Sequence, residues 1–486
     1  MKLMSHRRKQ MSTEGLMKLL LPILLCLSLQ AATYQVGQNA TGNGSGSDTA
    51  DLMSVATWNS GQAAGSVAVL NGAFTTEVDI SAASQQILFA AGGSIAPAAA
   101  RQMNTAGWPN IVIDGKGAGW IGCTANGSAL ANQVDVSGIV ITGSSNVTIR
   151  NLVFSNEYVH TSLSDTTINP GSTGAIYANG QYGTLTVTNC SFYNACWCLN
   201  LQSSATNIIW GNRFTNYDHG IAFGGSGGYF TTDVASNVFS TTSNWDTTAG
   251  GYHHDGIHYY AAFKVTGFTN RANLFCDNWG ADNTTYVFND TQAASNFFTF
   301  DCIGVQAAGN YLNDGMMVLT GVNCSAWNNT FIGSGVANSV GVYFGGSGSS
   351  LSNNVFSGLT TFVDNQTGTM TGSDYNLFSN PASGGNSPYV DNGTNYASLA
   401  AWQSATGQDS HSATPAVTFG GNYAVIGSTI TGSPQTAFSA DYYSTPFSSW
   451  GPGAVQLALG GITITPGGNI SIVPAGPGTN SIQVIP

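Results

Sequence analysis

The chain has 486 residues, of which 42% are hydrophobic, 11% aromatic and 7% charged. Eleven Lys and Arg stand against 23 Asp and Glu, a net charge of −12, which excludes a nucleic-acid binder built on basic patches. So many aromatics, with so few charges, also exclude a disordered polyelectrolyte.

The first element is a leader. Met17-Lys18 opens the apolar run Leu19-Leu-Leu-Pro-Ile-Leu-Leu-Cys-Leu27, and the small residues Ala31-Ala32 follow. Residues 1–31 thus have the layout of a signal peptide, too short for a membrane span, and no later segment reads as one. Its loss removes Lys2, Arg7, Arg8, Lys9, Lys18 and Glu14, leaving six Lys and Arg, 22 Asp and Glu and a net charge of −16. The expected product is a secreted, extracellular or cell-surface protein, read as a monomer. Residues 32–110 are expected to form an N-terminal cap and irregular first coils.

From 111 to 394 the chain repeats. Asn, one or two residues, then Phe recurs as Asn151-Leu-Val-Phe154, Asn189-Cys-Ser-Phe192, Asn212-Arg-Phe214, Asn237-Val-Phe239 and Asn273-Leu-Phe275. It continues as Asn310-Tyr-Leu312, Asn329-Thr-Phe331, Asn354-Val-Phe356 and Asn376-Leu-Phe378. A period of roughly two dozen residues with insertions marks a solenoid. Short alternating stretches follow a small residue: Gly174–Tyr177, Cys198–Leu201, Gly220–Phe223, Gly256–Tyr259, Thr285–Phe288, Gly315–Val318 and Gly341–Phe344. Each is strand-like and too short for a helix. No amphipathic helix intervenes, so βαβ units are excluded. The fold expected is all-β, a single-stranded parallel β-helix of about ten or more coils, each about 4.8 Å from the next. Repeated Asn would then form a hydrogen-bonded ladder and repeated Phe an internal stack. Of eight cysteines, seven follow the leader, and they read chiefly as small buried hydrophobes, with one disulfide open to an exported chain.

The chemistry should lie where polar residues interrupt the repeat. Tyr252-His-His-Asp-Gly-Ile-His-Tyr-Tyr260 is the most unusual segment. Aligned on the small residue, His219, Asp255, Thr284 and Asp314 share one position, and Asp218, His254, Asn283 and Asn313 the position before it. Strand alternation puts Ile257 and Tyr259 inward and His254 and His258 outward, with Asp218 stacked beside His254. His254, His258, Asp255, Asp218 and Asp314 are therefore the candidate catalytic residues, acting as general acids and bases. Tyr252, Tyr260, Lys264, Arg271 and Trp245 are the candidate substrate-binding residues. Insertions at 241–251 and 158–173 are expected to wall a groove. Asp255 and Asp314 read equally as turn formers, and the histidines as surface residues without catalysis. No cofactor and no metal ligand is nominated. Ca²⁺ is the one cation that the carboxylates and turn carbonyls could take. Residues 395–455 are expected to cap the far end, and 456–486 to form a short β tail.

Several segments together carry a resemblance. Ala32-Thr-Tyr-Gln-Val36, Ile111-Val-Ile-Asp-Gly115, Ser145–Phe154, Trp402–Asp409 with Ser412, and Asp441-Tyr-Tyr-Ser-Thr-Pro446 resemble, over residues 32–455, secreted bacterial right-handed parallel β-helix proteins of the pectin-lyase-like superfamily. That resemblance implies the handedness and the fold. Activity is not implied, since the superfamily holds lyases, hydrolases, epimerases and proteins without known activity. Asn313-Asp-Gly315 and His254-Asp-Gly256 faintly resemble the Asn-Thr-Asp-Gly segment of polygalacturonase-type hydrolases, but the Thr is absent. No paired Asp-Asp, Gly-His-Gly or Arg-Ile-Lys motif accompanies them. The expected partner is extracellular polysaccharide, cleaved by a hydrolase or lyase using the His/Asp cluster. The alternative is a non-catalytic glycan-binding or adhesion protein.

Overall fold

In the computed structural model the described residues are 31–96, 101–122, 137–157, 174–224, 229–240, 255–259, 264–275, 278–280, 287–288, 291–298, 315–333, 335, 337, 339–383, 387–419, 424–426, 430–435, 441–442 and 451–455. They form a parallel β-helix. Short strands follow one another around each coil, and each pairs in parallel with its equivalent in the coils before and after. One ladder runs Ile149, Val187, Ile209, Val234, Asn270, Ala293, Ala326, Leu351 and Ser373. A second runs through the phenylalanines. A third carries Ile139, Ile176, Leu199, Ile221, Ile257, Trp279, Met317, Val342, Val363 and Tyr389. The coils begin early: Thr33–Gly37 already pairs in parallel with Val67–Leu70, and the latter with Gln86–Phe89.

Strand alternation explains the core. Alternate residues of each strand point inward, and those positions are held by Ile, Val, Leu and Phe at essentially zero exposure. The Phe stack is continuous from Phe154 through Phe192, Phe214, Phe239, Phe275, Phe298, Phe331 and Phe356 to Phe378. Neighbouring rings lie 4.7–5.3 Å apart and are nearly parallel. That spacing is the strand spacing of the sheet, so the backbone sets the ring separation.

Two residues before each Phe runs the asparagine ladder: Asn212, Asn237, Asn273, Asn296, Asn329, Asn354 and Asn376. From Asn237 onward each Oδ1 accepts from both the backbone N and the Nδ2 of the asparagine one coil earlier, at 2.7–3.3 Å. Each Nδ2 also donates to a strand carbonyl, as Asn329 does to Ala293. The turn is buried, and this pattern satisfies its polar groups without water. Two expectations change here. Asn151 and Asn189 stand one residue before the ladder, in left-handed backbone at φ 57° and 53°. Asn296 fills the rung assigned to Asn310, which lies outside the described residues. Similarly, Val287–Phe288 pairs with Lys264–Val265, while the strand Asn278–Gly280 joins the ladder expected for Thr285–Phe288.

Cys190 enters the ladder in place of Asn, its N–H donating to Asn212 Oδ1 at 2.9 Å. Its thiol is pushed up to about 12 by burial. Cys198 and Cys324 are buried as well.

At the far end the strand Tyr389–Asp391 turns back on Thr394–Tyr396, the antiparallel pair that closes the rod. The helix Leu399–Thr406 follows, with Ser398 as N-cap and Gly407 as a left-handed C-cap at φ 71°. It buries Trp402, whose Nε1 donates to Asp409 Oδ2 at 2.9 Å. Asp409 Oδ1 accepts from Asn376 Nδ2 and Ser412 Oγ, and Ser412 Oγ takes the Asn376 N–H at 2.7 Å. The Trp402–Asp409 segment with Ser412 thus ends the ladder and covers the last coil. Residues 1–30 and 456–486, which cover the expected signal peptide but for residue 31 and the expected β tail, lie outside the described residues.

Candidate functional site

The strand Arg213–Phe223 carries His219, and the next coil's strand Asp255–Tyr259 carries Asp255 and His258. The register is His219 to Asp255, Ile221 to Ile257 and Ala222 to His258. The glycines between these residues serve close packing of coils. A Cβ on Gly220 would meet the Gly256 carbonyl oxygen at 2.6 Å and the Phe239 ring at 2.8 Å. Ile221 and Ile257 fix the strands by their place in the core ladder.

With the strands so held, three polar side chains converge. Asp255 Oδ2 accepts a hydrogen bond from His258 Nδ1 and stands 3.5 Å from His219 Nε2. The two imidazoles meet edge to face with centroids 4.4 Å apart. The Trp197 ring, in register with His219 on the preceding coil, lies 5.0 Å from the His219 ring. Exposures are 4% for His219, 1% for Asp255 and 5% for His258. A buried carboxylate between two imidazoles compensates a positive charge on either. It fixes the tautomer of His258 with Nδ1 donating, which leaves Nε2 as the acceptor.

Asp255 and His258 are therefore brought together, and their partner across coils is His219. The expected pairing was Asp218 with His254. Asp218 is one residue earlier in the same strand, and its side chain is not among those described; His254 lies outside the described residues. His219 was missed although it shares Asp255's position before the glycine, which is the register observed. The outward, surface placement of His258 is corrected: it follows Ala222 in register, and this face of the strand is buried as fully as the face carrying Ile257. Asp314, Tyr252, Tyr260, Trp245 and the insertions 158–173 and 241–251 lie outside the described residues. Lys264 opens the strand Lys264–Arg271, and its side chain is not among those described. Arg271 is engaged elsewhere: it donates to Asp233 at 2.9 Å and lies over the Trp210 ring at 5.4 Å.

Among the described residues no helix is long and apolar enough to cross a membrane. The architecture is that of the parallel β-helix proteins. No family model matches the chain. No curated protein matches its sequence. Among solved structures, it is similar to a lacto-N-biosidase of family GH136 from Eubacterium ramulus, at 12% identity over 83% of this chain and 70% of that one, with a TM-score of 0.44. It is similar also to XylC, solved in complex with xylose (10% identity, 87% and 98% covered, TM-score 0.45). A third is PfbA, a surface adhesin of Streptococcus pneumoniae (13% identity, 68% and 86% covered, TM-score 0.33).

Proposed function

We propose that the chain is a secreted or cell-surface β-helix protein of the pectin-lyase-like kind that cleaves extracellular polysaccharide, as a glycoside hydrolase or polysaccharide lyase. Asp255 and His258 form its acid–base pair. The observation that carries this reading is the hydrogen bond from His258 Nδ1 to the buried Asp255 carboxylate. Such a carboxylate orients the ring and leaves Nε2 to take or give a proton. In a lyase His258 would remove the proton beside a uronate carboxyl; in a hydrolase it would protonate the leaving oxygen or activate water. The test is to incubate purified protein with neutral and acidic glycans, following both reducing ends and the absorbance of unsaturated products. His258→Ala and Asp255→Asn should each lower turnover by about 10²-fold or more.

A second reading is a non-catalytic glycan-binding or adhesion protein. It is favoured by Trp108, Tyr193 and Trp210, which are 40–47% exposed while the three cluster residues are buried. Sugar faces stack on such rings. Glycan binding without product, unchanged in His258→Ala, would select this reading over catalysis.

A further inference from the structure

We infer that His219, Asp255 and His258 form a binding site for a divalent transition metal of the zinc class. The inference uses the same side chains as the acid–base reading but does not depend on catalysis. Its first support is chemical. Two imidazoles and one carboxylate are the donor set of three-ligand zinc centres and of other borderline metals, whereas Ca²⁺ and Mg²⁺ select oxygen ligands. The Ca²⁺ expectation drawn from carboxylates and turns therefore does not fit this cluster.

Geometry is the second support. One ligand atom from each residue, all within 4.8 Å of one another, can face a common point. Bonds of about 2.1 Å at tetrahedral angles put ligand atoms roughly 3.4 Å apart. His219 Nε2 and Asp255 Oδ2, at 3.5 Å, already have that separation. His258 Nδ1 and Asp255 Oδ2 are joined directly by a hydrogen bond. A metal entering there displaces the proton of that bond.

Burial suits a metal. At 1–5% exposure the three side chains lie in a low-dielectric shell with Trp197 against His219, where a divalent charge pays back what its anionic and dipolar ligands lose in leaving water. The ion would also act on the fold. His219 belongs to one coil and Asp255 with His258 to the next, and residues 241–254 separate the latter from the preceding strand Val238–Ser240. A shared ligand set fastens one coil to the next, so the free energy of binding adds to that of folding. Three protein ligands also match the number that zinc keeps when its fourth position goes to water.

The experiment uses the full chain, stripped with chelator and titrated calorimetrically with Zn²⁺, with Co²⁺ as an absorption probe and Ca²⁺ and Mg²⁺ as controls. One Zn²⁺ per chain is expected, with a rise in melting temperature and visible Co²⁺ bands of a low-coordinate site. His219→Gln and His258→Gln should each weaken binding by at least about tenfold, while His411→Ala, at an exposed histidine on the C-terminal cap, should not. Circular dichroism verifies that the variants fold, and the wild-type titration stands without them. Absence of a stoichiometric Zn²⁺ or Co²⁺ site, survival of the site in the double Gln variant, or equal binding of Ca²⁺ would overturn the inference. Metal bound without glycan cleavage leaves it standing and removes the catalytic reading. Cleavage by a chain that takes up no metal does the reverse.

Discussion

At the scale of single residues, the molecule depends on polar groups that water cannot reach. Asn329 Oδ1 accepts from Asn296 N and Nδ2, both at 3.0 Å, and its own Nδ2 donates to Ala293 O and Asn354 Oδ1. Asn329→Ala removes all of these and leaves the buried Asn296 N–H without its acceptor. One unsatisfied buried group costs about 1–3 kcal/mol. With the broken rung, the expected loss is about 3 kcal/mol, read as a lower urea midpoint with an unchanged slope. Glu157 works in the opposite sense. Its side chain is buried, and burial holds the carboxyl well above the ordinary range, against a smaller opposing hydrogen bond with Gln102. The folded state holds this proton to higher pH than the unfolded chain does. Stability therefore falls as pH rises above the unfolded value of about 4.3. Glu157→Gln cannot ionise. It should be more stable than wild type at pH 7, with the difference vanishing as pH falls toward about 4. Urea midpoints at both pH values check this, and an advantage that persists at low pH would contradict it.

At the scale of elements, the cap helix Leu399–Thr406 gives a clean backbone experiment. Gly407 ends it at φ 71°, and a Cβ there would meet nothing within 4 Å. Gly407→Ala should therefore cost about 1 kcal/mol through conformation alone, and Gly407→Asn less, since Asn tolerates left-handed backbone. Thermal unfolding of the two variants separates the cases. Elements also show why some of the structure could be read in the sequence and some could not. The Phe stack and most of the ladder were legible because one residue type recurs at one structural position. The ladder's phase was not, because Asn suits two adjacent positions for different reasons. Asn328 and Asn353 take left-handed backbone at φ 55° and 58°, while Asn329 and Asn354, next in the chain, carry the ladder. A single Asn, as at 151 or 189, does not declare which task it has. Asp255 and His258 were legible from their unusual segment. The partnership of Asp255 with His219 depended on the register past Asn216, whose left-handed backbone at φ 55° interrupts the alternation three residues before His219. The burial of His258 depends on what covers that face, which no local pattern encodes.

At the scale of the whole molecule, charge decides which polymers can approach. Beyond residue 31 the sequence holds six cations: Arg101, Lys116, Arg150, Arg213, Lys264 and Arg271. Among the described residues, four of them face carboxylates. Arg101 pairs with Glu77 and Arg271 with Asp233, while Arg150 and Lys116 share Asp114. Burial works against the ionised form of Asp114, yet hydrogen bonds from Asn151, the Lys116 backbone and Arg150 hold its carboxyl below the ordinary range. Few positive charges are left to neutralise a uronate, and the remaining field is that of an excess of Asp and Glu. A polyanionic glycan should therefore be repelled at long range. Raising ionic strength from about 0.01 M to about 0.1 M shortens the Debye length from about 30 Å to about 10 Å and removes most of that repulsion. Affinity for a neutral polysaccharide should stay constant over this range, while any affinity for a uronate polymer should start lower and rise with salt. Titrations of both glycans at the two salt concentrations measure it. Uronate affinity that falls with salt would instead require a local cation cluster strong enough to overcome the net charge, and would favour the lyase over the hydrolase of the two proposed activities.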